Sequence, residues 1–405
     1  MSSSVPGRVP PRTASSRGSR AAAVSPSSSS QPSDPAPLPG EPRLTIGIVG
    51  FGTFGQFLAR RLVSRGHEVL ATSRTDHTEA ARQLGVTYYQ DANDFCECHP
   101  DVVVLATSIL SLESVLRSLP LQRLKRSTLV VDVLSVKEFP RRLLLSRLPA
   151  EVDILCTHPM FGPDSGAGSW ESLNFMYEVV RLGGVRGGAL GRDRAPKDDE
   201  SDETDDDDDA SCPPLSALPP LPSPALLSQP LLTPQALLHP PDPSADASPP
   251  WPAASPQLPA ADPAMTLSER TEAWGGGRRA ARLAAFLHCF AAEGCRMVRM
   301  SCAEHDRAAA SSQFITHTVG RMLGAMALTP TPIDTRGYQS LLSLVDNTTH
   351  DSFELYYGLF LYNGAAAAEL AKLEQALAAV KRALLLQVHG TLHAQLLSHK
   401  PAGEP

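Results

Sequence analysis

The sequence predicts an α/β protein: a Rossmann-type doubly wound parallel sheet followed by an all-helical dimerisation domain. An apolar run at residues 44–49 leads directly into the glycine turn GFGTFG at residues 50–55. Further apolar runs alternate with amphipathic segments up to residue 182, the pattern of a parallel sheet covered on both faces. Beyond residue 278 apolar residues recur at helical spacing only.

Six strands are predicted in the first part of the chain. The segments between them carry apolar residues three and four positions apart, and Gly66 and Gly85 are placed to end two of these helices. The strands are expected at residues 44–49, 68–73, 102–107, 129–133, 153–157 and 174–182. Because ligands of open α/β sheets bind beyond the carboxyl ends of the strands, the site is expected at that edge.

The helices predicted in the second part are longer. Ser301 and Glu304 have the spacing of a capping box, which opens a long helix that runs to about Met326. The other helices are expected at about residues 278–293, 338–361 and 365–388. So large an apolar stripe on so few residues indicates a domain that completes its core by dimerising.

Two segments have compositions that do not favour a packed core. The first 43 residues contain 12 serines, 5 arginines and no lysine, as a plastid transit peptide does; an ordinary disordered tail is the alternative. A second segment combines the run KDDESDETDDDDD with 17 prolines between Pro213 and Pro263, and it is predicted to be a disordered insertion or, alternatively, a docking tail. The predicted parts are a leader (1–43), a nucleotide-binding domain (44–183), the insertion (184–268), a helical substrate and dimerisation domain (269–395) and a tail (396–405).

Charge and hydropathy exclude several classes of function. The net charge is −7 and no basic patch is present, so a nucleic-acid partner is not expected. No apolar run approaches the roughly 20 residues of a membrane helix, so no membrane partner is expected either. The seven cysteines are irregularly spaced, and Cys96 and Cys98 lack the second pair that a zinc site needs. We therefore expect no metal site.

The glycine turn predicts a dinucleotide site. A strand precedes it and a helix follows it, which is the context that gives this motif its meaning. Gly50 would form the tight turn, Gly52 would let the pyrophosphate approach the backbone, and Gly55 would let the helix pack closely on the sheet. The residues expected to contact the cofactor are Gly50, Phe51, Gly52, Thr53, Phe54, Gly55, Ser73, Arg74, Thr75, Thr107 and Ser108.

The end of the second strand bears on which cofactor is bound. An NAD enzyme usually has an acidic residue there to bind the ribose hydroxyls. This chain has Ser73, Arg74 and Thr75 instead, which can donate hydrogen bonds to a 2′-phosphate. The sequence therefore favours NADP, although Asp76 is close enough to leave NAD open.

Several polar residues are candidates for the chemistry. His158 follows the fifth strand, and its ordinary pKa of about 6.5 suits a general base. Ser135 follows the fourth strand, where its hydroxyl could reach the nicotinamide or cap the next helix. Asp306, Gln313 and His317 are 7 and 4 residues apart on the long helix, so they are predicted to share one face. That face is interpreted as a substrate wall, with a solvated face or satisfied core polar groups as the alternative.

Five motifs resemble those of the plant and algal arogenate dehydrogenases of the prephenate dehydrogenase family. They are GFGTFG, DVLSVKEFP, THPMFGPDSG, EHDRAAASSQFITHTVGR and DSFELYYGLFLYN, and the resemblance spans about residues 44–182 and 275–390. It implies NADP-dependent oxidative decarboxylation of arogenate to tyrosine by a homodimer in the chloroplast. His158 would take the proton from the ring hydroxyl and Ser135 would orient it. The resemblance also implies substrate contacts for His317 and Asp164.

The two ends of the implied substrate raise separate questions. Arogenate carries an ammonium where prephenate carries a keto group, and Asp306 is the expected partner of that ammonium. Bacterial relatives bind the ring carboxylate with an arginine in a GFRD-like segment, which here reads GYQS at residues 337–340. Arg321 and Arg336 are nearby, but neither is a positional match. The alternatives are a prephenate dehydrogenase or another β-hydroxyacid-type dehydrogenase, and a non-catalytic NADP-sensing protein.

Overall fold

A single twisted sheet organises the chain. The computed structural model describes residues 42–183, 185–186 and 266–398; the predicted leader, nearly all of the predicted insertion and the end of the predicted tail lie outside the described residues. Within the described part the strands are β1 (Thr45–Val49), β2 (Glu68–Thr72), β3 (Thr87–Tyr89), β4 (Val102–Leu105), β5 (Leu129–Asp132), β6 (Asp153–Pro159), β7 (Asn174–Leu182), β8 (Val185–Arg186) and β9 (Arg296–Arg299).

The strand order places a crevice beside β1. Across the sheet the order is β3-β2-β1-β4-β5-β6-β7-β8, and β9 also pairs with β7. The pairings from β3 to β6 are parallel, whereas β7 runs antiparallel to β6. The chain moves outward from β1 in one direction to β2 and in the other to β4, which creates the topological switch point where nucleotides bind in such sheets.

Helices cover both faces of the sheet. Apolar side chains of α1 (Thr53–Ser64) and α7 (Gly277–Ala291) are buried on one face, and those of α4 (Leu112–Ser118) and α5 (Glu138–Arg147) on the other. The other described helices are α2 (Thr78–Leu84), α3 (Ala92–Glu97), α6 (Leu267–Ala273), α8 (Cys302–Ala309), α9 (Ile315–Ala325), α10 (Arg336–Thr349), α11 (Phe353–Leu361) and α12 (Ala366–Ser398). No described helix is long and apolar enough to span a membrane.

The helical region shares a core with the sheet. Phe139 on α5 stacks on Tyr362 at the end of α11, with ring centroids 4.0 Å apart. Cys302, Phe314 and Leu359 are buried in the same apolar cluster as the sheet residues on that face. This continuity fixes the helical region against the sheet.

The predicted fold class is confirmed, with a Rossmann-type sheet and a helical region after it. Three strands, β3, β8 and β9, and two helices, α3 and α6, were not predicted from the sequence. The three residues of β3 are too few to show a period, and β9 has only one buried residue, Met297. β9 pairs in parallel with β7, and α7 before it packs on one face of the sheet, so residues 277–299 belong with the sheet. The helical region therefore begins at Cys302.

Two predicted long helices are interrupted. The segment predicted as one helix over 338–361 divides into α10 and α11, because Ser352 caps a new helix by accepting a hydrogen bond from Leu355 N at 3.2 Å. The helix predicted to run from Ser301 to Met326 contains a π-helical turn at Ala310–Phe314, between α8 and α9. A π turn changes the angular spacing of the residues on either side.

Candidate active site

The glycine turn after β1 has a shape that only glycine allows at two of its three positions. Gly50 has φ +97°, and a Cβ there would lie 2.5 Å from the carbonyl oxygen of Ala106. A Cβ on Gly55 would lie 2.2 Å from the carbonyl oxygen of Gly50. A Cβ on Gly52, in contrast, would meet nothing within 4 Å. Gly50 and Gly55 therefore serve the fold, whereas Gly52 leaves open space at the amino end of α1.

A cavity of about 420 Å³ adjoins this turn. It lies beyond the carboxyl ends of β1, β2 and β4, and Thr107 contributes a buried hydroxyl that has no hydrogen-bond partner among the described residues. Of the residues predicted to contact the cofactor, Gly50, Phe51, Gly52, Ser73, Arg74, Thr75, Thr107 and Ser108 line the cavity. Thr53, Phe54 and Gly55 do not line it, and they begin the helix whose amino end faces it.

In the loop after β2 the basic side chain of Arg74 is exposed, whereas the acidic side chain of Asp76 is already hydrogen-bonded. Oδ1 of Asp76 accepts hydrogen bonds from the Thr78 amide at 2.9 Å and the Thr78 hydroxyl at 2.6 Å, which lower the pKa of Asp76. Ser73 donates to the carbonyl oxygen of Thr75 at 2.6 Å. Arg74 is exposed and forms no ion pair within the described part of the chain. The cation is therefore the group at this edge that is available to a ligand.

His158 lies near the end of β6, in a setting that keeps its ring neutral. The residue is 3% exposed, and its Nδ1 lies 2.8 Å from Nε2 of His305. Burial lowers the pKa of His158 well below its ordinary value, and the charges on His305 and Lys137 lower it further. A neutral imidazole is the form that can accept a proton, so this environment suits a base.

Asp306 faces the protein rather than a ligand. Its Oδ1 accepts from the Lys137 amide at 2.8 Å and its Oδ2 from the Glu138 amide at 2.9 Å, so it caps α5 from another helix. Its Oδ1 also lies 2.9 Å from Nδ1 of His305. The expectation that Asp306 binds the substrate ammonium is at odds with these contacts, since both oxygens already have donors. Ser135 is partly buried and does not cap α5, which begins at Glu138.

The predicted common face of the long helix does not form. The π turn lies between Asp306 and His317, and Asp306 points to α5 while His317 lies 3.8 Å from Asp351 through its Nε2. Burial lowers the pKa of His317. Nδ1 of His317 and Oε1 of Gln313 are buried and have no hydrogen-bond partner among the described residues. Asp164 lies exposed in the turn after β6.

Comparisons with known proteins identify the family. The profile "NADP oxidoreductase coenzyme F420-dependent" matches residues 45–136, and "TYRAAT1-like, C-terminal domain" matches residues 322–396. Arogenate dehydrogenase 2, chloroplastic, of Arabidopsis thaliana is 40% identical over 361 residues, which cover 89% of this chain and 74% of that protein. The chain belongs to the arogenate dehydrogenase family.

Two further similarities accompany this membership. Arogenate dehydrogenase 1, chloroplastic, of Arabidopsis thaliana is 45% identical over 353 residues, but these cover 87% of this chain and only 40% of that protein. The crystal structure of prephenate dehydrogenase from A. aeolicus, with hydroxyphenyl propionate and NAD+, is similar with a TM-score of 0.51 at 13% identity, covering 89% of this chain and 96% of that one. The similarity to this crystal structure supports the fold described above for this member of the arogenate dehydrogenase family.

Three buried polar residues of this arogenate dehydrogenase family member were not among the candidates from the sequence. Lys137 is fully buried, forms an ion pair with Asp132 and donates to the carbonyl oxygen of Thr157. The third is His305, which adjoins Asp306 in the motif EHDR. Asp132 and Lys137 lie in the motif DVLSVKEFP, so the resemblance contained all three residues without giving them a function. Among the described residues no cluster is arranged to hold a metal ion.

Proposed function

We propose that the chain is an NADP-dependent arogenate dehydrogenase that converts arogenate to tyrosine. The observation that carries the proposal is a buried His158, whose pKa burial lowers, at the carboxyl edge of the sheet that also carries the glycine turn. Both Arabidopsis relatives are named arogenate dehydrogenases. The proposal therefore rests on the family membership, on His158 as a candidate base and on the cavity beside the glycine turn.

The crevice fits a dinucleotide. The open space above Gly52 admits a phosphate, and the unpartnered hydroxyl of Thr107 lies where it can bind the nicotinamide ribose. Arg74 would hold the 2′-phosphate of NADP, and the capped carboxylate of Asp76 would not oppose it. When bound, the nicotinamide supplies the hydride acceptor.

His158 would take the proton of the ring hydroxyl at Nε2. This nitrogen has no hydrogen bond among the described residues, whereas Nδ1 is occupied by His305. Loss of the ring carboxylate as carbon dioxide makes the product aromatic, which drives the reaction forward. Ser135 is proposed to orient the hydroxyl, and the unpartnered polar atoms of Gln313 and His317 are proposed to contact the substrate. Asp164 is also proposed to contact the substrate, as the resemblance implies.

A matrix of four assays tests this function. The purified chain is mixed with arogenate or prephenate and with NADP or NAD, and cofactor reduction and product are measured. We expect tyrosine and reduced NADP from arogenate. Turnover mainly of prephenate would favour a prephenate dehydrogenase, and cofactor binding without turnover of either substrate would favour an NADP-sensing protein.

Replacing Arg74 with alanine is expected to lower kcat/KM for NADP by about 10- to 10²-fold, because a hydrogen bond to a charged group contributes roughly 1.5–3 kcal/mol. The value for NAD should stay unchanged, because NAD lacks the 2′-phosphate. Arg82→Ala is the matched control, since Arg82 is also exposed but pairs with Glu79 on α2. Equal losses with both cofactors would remove Arg74 from cofactor selection.

The pH profile follows from the lowered pKa values of the buried histidines. The pKa of His158 lies below its unfolded value of about 6.5, so kcat/KM should stay level as the pH falls to about 6.5 and decline only below it. The charged groups that act on the His158 ring are His305 and Lys137, and those that act on the His305 ring are Lys137, Asp132 and Asp306. The pKa of His305 is also lowered. Below about pH 6.5 the unfolded chain therefore takes up protons that the folded chain does not, and the free energy of unfolding should fall. Activity that already halves near pH 7.5 would contradict this.

The chain is proposed to act as a homodimer. The helical region exposes apolar side chains that a second copy could cover. They include Met322, Met326, Ile333, Leu341, Leu377, Val380, Leu384 and Leu385. Sedimentation equilibrium should give twice the chain mass of 43.2 kDa; a mass of one chain would exclude the dimer.

A plastid location is proposed because both relatives are named chloroplastic. Import of the radiolabelled chain into isolated chloroplasts tests it. Protection from added protease after import is the expected result, and complete digestion would exclude it.

A further inference from the structure

Three buried polar side chains form a series that begins at His158. Nδ1 of His158 lies 2.8 Å from Nε2 of His305, and Nδ1 of His305 lies 2.9 Å from Oδ1 of Asp306. Each of the three residues is 3% exposed. The two rings meet edge-on, with centroids 5.0 Å apart. Buried polar groups in such a series are each constrained by the next, because an unmatched donor or acceptor would be costly there.

Asp306 defines the direction of the series. The backbone amides of Lys137 and Glu138 can only donate hydrogen bonds, so both carboxylate oxygens of Asp306 act as acceptors. These amides belong to the amino end of α5, where the helix dipole also favours a negative charge. Asn363 further fixes the residue by donating to its backbone carbonyl at 2.7 Å. Asp306 is thus held in place as a hydrogen-bond acceptor.

The protons on both rings follow from this acceptor. A neutral histidine carries one proton, so a proton on Nδ1 of His305, directed at Asp306, leaves Nε2 of His305 as an acceptor. Nδ1 of His158 must then donate to it, and Nε2 of His158 keeps its lone pair. The series therefore selects the one tautomer of His158 whose free nitrogen can take a proton from a ligand.

We propose that His305 and Asp306 are positioning residues that form a proton relay with His158. The proposal rests on the proposed function of His158 as the base. The hydroxyl proton of the substrate binds Nε2 of His158, and the Nδ1 proton of His158 then moves to Nε2 of His305. One proton has entered, His158 is neutral again, and the positive charge resides on His305 beside the carboxylate of Asp306.

This transfer answers a difficulty in the site. A positive charge on His158 is unfavourable because its ring is buried and the Lys137 ammonium is near. On His305 the same charge is adjacent to Asp306, which raises the pKa of that ring against the effect of burial. The relay moves the charge one step away from the reacting centre while the carboxylate stays ionised.

The tautomers can be measured without turnover. Nitrogen-15 spectra of the histidine-labelled chain distinguish protonated from unprotonated ring nitrogens, and His158→Asn and His305→Gln assign the two rings among the 12 histidines. At pH 8 both rings should be protonated at Nδ1 and not at Nε2. A proton on Nε2 of His158 would overturn the series. This result does not depend on which substrate is turned over, so it separates failure of the relay from failure of the proposed function.

Matched carboxylate-to-amide changes on α8 test the effect on rate. Asp306→Asn should lower kcat at least about tenfold, and up to the ~10⁴-fold that a histidine base held in the wrong tautomer can lose. KM should change little, and the loss should be equal for arogenate and prephenate. Glu304→Gln, two residues away, should keep full kcat because glutamine also completes a capping box with Ser301.

His305→Gln separates the relay from simple support. Glutamine can make hydrogen bonds but cannot carry a second proton, so we expect a stable protein with a lowered kcat and an unchanged KM. A kcat equal to that of the unchanged chain in both His305→Gln and Asp306→Asn would overturn the proposal.

Discussion

Replacing His158 with asparagine should lower kcat by about 10²- to 10⁴-fold, the range for loss of general-base catalysis. The amide nitrogen of asparagine can still donate to Nε2 of His305, as Nδ1 of His158 does, so the buried hydrogen bond is retained. What disappears is the lone pair that accepts the hydroxyl proton. Steady-state kinetics with arogenate and NADP measure the loss.

Folding and cofactor binding provide the controls for this variant. Its unfolding temperature and its Kd for NADP should match those of the unchanged chain, because His158 does not line the nucleotide cavity. His158→Ala should lose as much kcat and also some stability, since it leaves Nε2 of His305 without a donor in a buried place. Full activity in the asparagine variant would remove His158 from the chemistry.

Two glycines of the turn, Gly52 and Gly55, should have different effects when each is changed to alanine. Gly55→Ala places a methyl group 2.2 Å from the carbonyl oxygen of Gly50 if nothing moves, so α1 must shift away from the turn. Overpacking of this kind costs about 1–3 kcal/mol of unfolding free energy, and denaturant titration should show it. Loss of NADP binding should accompany the shift, because the amino end of α1 faces the cavity.

Gly52→Ala is the matched comparison. Its backbone angles, φ −72° and ψ −166°, suit any residue, and the new methyl group meets no protein atom within 4 Å. Stability should therefore be unchanged, while NADP binding weakens by about tenfold or more if the pyrophosphate fills that space, since overpacking of ~1–3 kcal/mol corresponds to such a factor. Normal NADP affinity in Gly52→Ala would show that the phosphates bind elsewhere.

Local patterns were sufficient to predict the nucleotide-binding part of the fold. The strand, glycine turn and helix at residues 45–64 depend on contacts between near neighbours, so their sequence reports them directly. β9 could not be predicted in this way, because its pairing with β7 is made by residues more than a hundred positions away. Its own sequence, RMVR, carries a single buried residue.

The site was predicted in part for the same reason. His158 was found because it follows a predicted strand and lies in a motif shared with the family. Asp306 accepts hydrogen bonds from the amides of α5, which are close to it only in the folded chain. Helical spacing placed Asp306 and His317 on one face, but that spacing assumes an unbroken α-helix, and the π turn breaks the assumption.

The π turn at Ala310–Phe314 also determines the angle about the helix axis between the surface that carries Asp306 and the surface that carries His317. On the amino side of the turn, Asp306 of α8 accepts a hydrogen bond from the amino end of α5. On the carboxyl side, His317 of α9 faces Asp351. An α-helix advances about 100° per residue, so a single deletion that restored regular α-helix would rotate one surface by that angle relative to the other. One extra residue in this continuous helical segment thus lets the surface that carries Asp306 and the surface that carries His317 face different neighbours.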